Sequence, residues 1–279
     1  MSFATDYLAQ LEAFAAKGPL PRVRALHLPP LRSMPDNRGE FCALELEDGS
    51  LGLSYVLLDD TLAQLHRAID GLALAGADPL AVACRYASDS GLWKTIGFAA
   101  ANALTRRLFD RAAFRPDDST DSIGQMNPQP DDHVGMIGLF TPLVGRILAT
   151  GARLTVLELK ADLVRDRDDY CVTLDPERLS TCNKVVSTST LLLNDTLDRM
   201  VACCRGARWF ALIGPGAGCL PDALFERGVT LVGGTWVGDP EGFVAALRAG
   251  EPLGGYASKF ALTAARYPGW RALLQRACG

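Results

Sequence analysis

VGMIGLFTPLVGRILATGARLTVLELK, residues 134–160, decides the fold class. Its first seven residues are a nearly continuous apolar run, the pattern of a strand covered on both faces. A helix is expected from Pro142 to Thr150 with Gly151 as its stop, and RLTVLELK (153–160) reads as a second strand. Towards the C-terminus the alternation continues. After a charged loop and a short helix, NKVVSTST (183–190), RWFALIG (208–214) and GVTLVGG (228–234) read as further strands, with helices over 194–205 and 239–249. Repeated strand–helix alternation implies a parallel sheet with right-handed crossovers, so this half is expected to be a Rossmann-like α/β domain.

Towards the N-terminus, RPDDSTDSIGQMNPQPDD (115–132) carries three prolines and few large apolar residues, which marks a linker or exposed loop. The expected division is an α+β domain over 1–118, a linker over 119–132 and the Rossmann-like domain over 133–279. In the smaller part, FATDYLAQLEAFAA (3–16) has helical spacing and is followed by a bend at Pro29-Pro30. The runs EFCALELEDG and SLGLSYVLLD meet at Asp48-Gly49, a strong hairpin signal. Helical patterns fill 60–76, 78–87 and 91–112.

Composition narrows the function classes. Hydrophobic residues make up 48% and charged residues 22%, with a formal net charge of -4. The densest basic run, Arg106-Arg107 with Arg111 and Arg115, fits the solvated face of a helix, so no nucleic-acid partner is expected. No apolar stretch approaches the ~20 residues that span a bilayer. No basic leader followed by an apolar stretch is read, so a cytoplasmic protein without a membrane partner is expected. A homodimer is left open. The eight cysteines include no C-x-x-C pair, and Cys203-Cys204 diverge by about 100° on a helix. They read as small buried hydrophobes. Among the histidines, His133 beside Asp131 and Asp132 is a weak metal candidate, with a solvated strand start the simpler reading.

In open parallel sheets, ligands bind beyond the carboxyl ends of the strands at the topological switch point. Four segments reach that edge. Gly138-Leu139-Phe140-Thr141-Pro142 opens a helix and leaves backbone N–H groups free, although it is no G-x-G-x-x-G loop. Glu158 stands twenty residues after Gly138, where a ribose-binding carboxylate would sit or where a strand simply turns polar. Ser187-Thr188-Ser189-Thr190 with Asn194 and Thr196 offer hydroxyl and amide groups that contact a ligand or cap a helix. Gly214-Pro215-Gly216-Ala217-Gly218-Cys219 is a glycine-rich strand-to-helix turn whose backbone can approach a ligand. There Cys219 is either a reactive thiol or a buried filler, the filler being preferred.

DDHVGMIGLFTPLV, LTVLELK, STSTLLLNDTLD, ALIGPGAGCLPDALFERGVTLVGG and DPEGFVAALRAG, in that order, resemble the family described as "Putative heavy-metal chelation". LGLSYVLL (51–58) and TIGFAAANAL (95–104) are similar to its N-terminal, enolase N-terminal-like domain. The resemblance implies a ligand site between the two domains and a role in handling metals or metal-containing cofactors, with a link to anaerobic cobalamin synthesis. It also implies that Asn102, Phe140, Pro142, Glu158, Thr190, Asn194, Thr196, Gly214 and Pro215 lie at that cleft. The chain departs from the family pattern at Thr141-Pro142, at Ser189 and at Gly216-Ala217-Gly218-Cys219.

Two functions follow as expectations. One is a protein that binds a metal, a metal chelate or an anionic small molecule in the cleft, in metal homeostasis or in cofactor or metallophore biosynthesis. The other is an enzyme using S-adenosylmethionine or a nucleotide, with Glu158 on the ribose and the loops at 138–142 and 214–219 around the remainder. The cofactor candidates are accordingly a transition metal or S-adenosylmethionine.

Overall fold

The computed structural model describes residues 2–31, 40–119, 125–166 and 170–279. Residues 120–124 of the expected linker and 167–169 of the expected charged loop lie outside them.

The N-terminal half opens with α1 (Phe3–Ala15), capped by the Ser2 hydroxyl accepting from the Thr5 N–H. Strands β1 (Val23–His27), β2 (Phe41–Leu46) and β3 (Leu51–Tyr55) form an antiparallel sheet in that order. The Asp48-Gly49 hairpin is present, and the Asp48 carboxylate accepts from the Ser50 N–H at 3.1 Å. β1 was not expected; it is a short run directly before the prolines at 29 and 30. Helices α2 (Thr61–Ala68), α3 (Pro79–Ser88) and α4 (Gly91–Arg111) follow. The pattern over 60–76 yields helix only to Ala68, then a 3-10 turn to Gly71. α4 is buried on almost every side from Lys94 to Thr105, the property of a central helix. β3 rests on it so closely that a β-carbon at Gly52 would stand 2.0 Å from the Ala99 carbonyl oxygen.

The C-terminal half comprises β4 (His133–Ile137), α5 (Thr141–Leu148), β5 (Arg153–Leu157), β6 (Arg165–Asp166), β7 (Tyr170–Thr173), β8 (Lys184–Thr188), α6 (Leu197–Cys203), β9 (Trp209–Ile213), α7 (Asp222–Phe225), β10 (Leu231–Val237), α8 (Pro240–Ala249), β11 (Ala257–Thr263) and α9 (Trp270–Cys278). Its eight strands run in the order β11-β10-β9-β8-β4-β5-β7-β6. The central six are parallel, and β6 and β11 close the two sides antiparallel. The fold is therefore the expected α/β arrangement with a smaller α+β portion. The switch point lies between β4 and β8, because the chain builds outward from β4 through β5 and β7, then returns to build β8, β9 and β10.

Several boundaries differ from expectation. The stretch read as loop and short helix holds β6 and β7, whose few apolar residues gave no strand signal. The helix expected from 194 begins at Leu197, since Asn194 forms a turn before it. β11 and α9 were not read at all. The linker is not free: the Ser119 N–H donates to the Lys259 carbonyl, and the Ala261 N–H to that of Asp117, beside β11.

One apolar core runs from α1, α3 and α4 through residues 191–224 into α9. Arg227 joins the halves from the other side, pairing with Asp6 at 2.7 Å and Asp198 at 2.9 Å. At the amino edge of the large sheet, Asp132 is 0% exposed and pairs with Lys184 at 2.6 Å and with Arg208, while accepting from the Gln129 N–H at 2.8 Å. Burial, the largest influence, pushes its carboxyl pKa up. The hydrogen bonds from Lys184 and the Gln129 N–H, with the charges of Lys184 and Arg208, nevertheless hold it below the usual carboxylate range.

Candidate functional site

At the carboxyl edge, β4 ends at Ile137 and the chain turns through Gly138, Leu139 and Phe140 into α5. The Gly138 N–H donates to the Leu157 carbonyl, and the Phe140 N–H points to the Met136 sulfur at 3.4 Å. Thr141 and Pro142 are exposed at the start of α5, where Pro142 is the second helical residue. Glu158 does not stand free above this turn. One of its oxygens accepts from the Leu139 N–H, and the other from the Leu159 N–H at 3.0 Å. The carboxylate thus ties the end of β5 to the turn after β4.

β8 ends at Thr188, whose hydroxyl accepts from the Thr190 N–H at 3.3 Å and from the Thr190 hydroxyl at 3.2 Å. Asn194 accepts from the Thr196 N–H at 3.2 Å, so its carbonyl oxygen serves a turn, as does Thr196. Neighbouring Asp195 pairs with Lys94 of α4, and the Tyr86 hydroxyl donates to the Leu192 carbonyl. Both contacts fasten the 189–196 segment to the N-terminal half. Ser189 behaves differently. It is 6% exposed, yet its hydroxyl has no hydrogen-bond partner among the described residues.

β9 ends at Ile213, and the glycine-rich turn wraps around that hydroxyl. Gly214 has φ +149, and a β-carbon there would lie 2.3 Å from the Ser189 Oγ. Glycine is therefore required by backbone conformation and by contact at once. Beneath the turn, Asn102 is 2% exposed and donates both amide protons, to the Gly216 carbonyl at 3.0 Å and the Leu53 carbonyl at 2.8 Å. Its oxygen accepts from the Tyr7 hydroxyl at 3.1 Å. Asn102 is at the junction of the halves, with its donors spent inside the protein. Pro215 lies beside it at a cavity of about 30 Å³ shared with Leu53, Arg106 and Trp236, room for about one water. Cys219 is 1% exposed and burial pushes its thiol up to about 12, which makes it a filler rather than a nucleophile.

The N-terminal sheet lies across this edge. Leu51 and Leu53 pack with Val237 and Phe243 at the β10 end, whereas Tyr55 lies near Glu158 at the β5 end. Burial raises the Tyr55 phenol, and the charges of Glu40 and Glu158 raise it further. Burial also raises the Glu40 carboxyl. Neither Glu40 nor Tyr55 has a side-chain hydrogen bond among the described residues. Sequence reading missed both, although Tyr55 ends the hairpin strand and the Val56 N–H donates to the Glu40 carbonyl opposite. Their role at this edge depends on how the halves dock, which no local pattern encodes.

The residues present do not fit a bare metal ion. Among the described residues, no three His, Cys, Asp or Glu side chains come together in a way that could hold one. His133 bonds to the hydroxyls of Thr155 at 2.9 Å and Thr181 at 3.1 Å, while Asp132 is committed to its two cations. No helix is long and apolar enough to cross a membrane, again among the described residues.

No curated protein matches the chain in sequence. Two solved structures of proteins with unknown function resemble it over nearly their full length. One, from Desulfitobacterium hafniense DCB-2, is 18% identical with a TM-score of 0.66, covering 92% of this chain and 99% of its own. The other, from Pyrococcus horikoshii, is 19% identical with a TM-score of 0.65, covering 93% and 99%. At such identity the likeness establishes the fold, and both structures are assigned to the family whose model matches residues 121–265 here. The chain belongs to the DUF364 family, described as "Putative heavy-metal chelation".

Proposed function

We propose that this protein binds a small organic molecule at the carboxyl edge of the large sheet, where the N-terminal sheet lies across it. The observation that carries the reading is Ser189 after β8: the residue is 6% exposed, its hydroxyl has no hydrogen-bond partner among the described residues, and it stands against a turn that only glycine allows. A hydroxyl left without an internal bond, at the sheet edge where ligands bind in such folds, supports a binding role. Gly138, Phe140, Thr141, Pro142, Thr188 and Thr190 follow the ends of β4 and β8 on the same edge. A metal would enter this site inside a chelate that brings its own donor atoms, in keeping with the family description and with the absence of a metal-binding set among the described residues. Glu158 supports the adenosyl alternative poorly, since both its oxygens already accept main-chain N–H groups.

The test is extraction of the purified full chain followed by mass spectrometry, with elemental analysis in parallel. An organic compound is expected at a fixed ratio to protein, and Ser189→Ala should lower that ratio. Stoichiometric metal without any organic partner would remove the proposal.

A further inference from the structure

His133, Thr155 and Cys171 share one face of the large sheet, near the amino ends of β4, β5 and β7. Their side chains form a line of hydrogen bonds. The Cys171 thiol donates to the Thr155 hydroxyl at 3.7 Å, and that hydroxyl meets His133 Nε2 at 2.9 Å. On its other side, His133 Nδ1 meets the Thr181 hydroxyl at 3.1 Å. The line is complete when Nδ1 carries the imidazole proton and Nε2 accepts from Thr155. Burial, and after it the charge of Arg153, lowers the His133 pKa, so Nε2 stays an open acceptor at neutral pH. Arg178 Nη2 donates to the same Cys171 sulfur at 3.9 Å, and Arg178 has no carboxylate partner among the described residues. A guanidinium so placed favours a thiolate. The other thiols lack such neighbours. Cys42, Cys182, Cys204 and Cys219 are buried, which pushes each up to about 12. Burial also raises Cys84 and Cys203, and the Glu177 carboxylate beside Cys203 raises that thiol further. Cys278 is exposed and has no partner among the described residues. Cys171 is half-buried, open to small reagents.

We propose that Cys171 is the reactive thiol of this protein, a modification site for hydrogen peroxide, with Thr155 and His133 as its proton relay and Arg178 as the cation that holds the thiolate. The thiol proton moves to the Thr155 hydroxyl as that hydroxyl passes its own proton to His133 Nε2. The sulfur then attacks one peroxide oxygen and the O–O bond breaks. The departing hydroxide recovers the proton through the relay and leaves as water. Sulfur is oxidised to a sulfenic acid, and the peroxide is reduced. The site is independent of the carboxyl edge, so the binding reading above neither supports it nor depends on it.

The experiment treats the reduced full chain with hydrogen peroxide at neutral pH, traps sulfenic acid with dimedone and quantifies each cysteine by mass spectrometry. Cys171 should be trapped about tenfold or more faster than Cys278, the exposed thiol without assistance. Thr155→Val removes the relay hydroxyl and should bring Cys171 down to the Cys278 rate, whereas Thr155→Ser keeps the hydroxyl and should keep the rate. Arg178→Gln, at an exposed position, should slow Cys171 while leaving Cys278 unchanged. Buried Cys182 and Cys219, untrapped in every variant, report that the fold is intact. Should Thr155→Val expose them, Arg178→Gln decides alone. Trapping of Cys171 no faster than Cys278, or an unchanged Cys171 rate in either folded variant, would overturn the proposal.

Discussion

The amino and carboxyl edges of the large sheet treat buried polar groups in opposite ways. At the amino edge, Asp132 is enclosed and every charge near it is answered by Lys184, Arg208 and a backbone N–H. At the carboxyl edge, the Ser189 hydroxyl and the Glu40 carboxylate stand without partners among the described residues. Asn102 belongs with Asp132 in this respect, although it lies beneath the carboxyl-edge loop, because all of its hydrogen-bonding capacity is used internally. Satisfied networks hold the amino edge together, whereas Ser189 and Glu40 keep hydrogen-bonding capacity at the edge where ligands bind in such folds.

The contrast breaks most visibly at Asp132. Asp132→Ala leaves buried Lys184 without its carboxylate and should cost about 3–5 kcal/mol in urea unfolding. The folded carboxyl titrates below its unfolded value of about 3.9. Its contribution is therefore fully present above that value and is lost as pH falls through the folded pKa. Asp132→Asn should flatten the acid limb of a stability–pH curve, and an unchanged limb would count against the assignment.

Asn102→Ala orphans the Gly216 and Leu53 carbonyls and leaves the Tyr7 hydroxyl only its bond to Thr105, and a loss of about 2–3 kcal/mol is expected in the same assay. Should Asn102 act mainly as a ligand group, binding would fall while stability stayed level. Glu158→Gln replaces one acceptor oxygen with an amide that faces a main-chain N–H. It should cost about 1–2 kcal/mol and speed hydrogen exchange at Leu139 and Leu159. The smallest stability effect, within about 0.5 kcal/mol, is expected for Ser189→Ala, which removes an unpartnered hydroxyl. Ligand content should fall in that variant all the same, and a stability loss comparable to that of Asn102→Ala would erase the distinction between the two edges.

The parallel strands β4, β5, β8, β9 and β10 were legible because continuous apolar runs bounded by glycine and proline encode burial locally. β7 and β11 were not, since TYR-CYS-VAL-THR and ASKFALT-like segments owe their strand state to neighbours already in place. In the site, the glycine turn at 214–216 and the hydroxyls at 188–190 were visible in the sequence, whereas the difference between Ser189 and Thr190 was not. Thr188 satisfies Thr190 through a local turn, while Ser189 is set apart by a loop twenty-five residues further on. Glu158 was found in its place but with other work, because the backbone N–H groups that occupy it come from the turn after a different strand.

Helix α4 has a consequence for synthesis. It is buried on nearly all sides from Lys94 to Thr105, and one of the elements packed on it is α9. On the ribosome residues 91–111 emerge long before residues 270–278, so part of the central helix waits uncovered while the large sheet is made. That interval exposes a sticky surface to chaperones and to other nascent chains, and it makes aggregation during expression a greater hazard for variants that slow sheet formation than for those that loosen the finished edge.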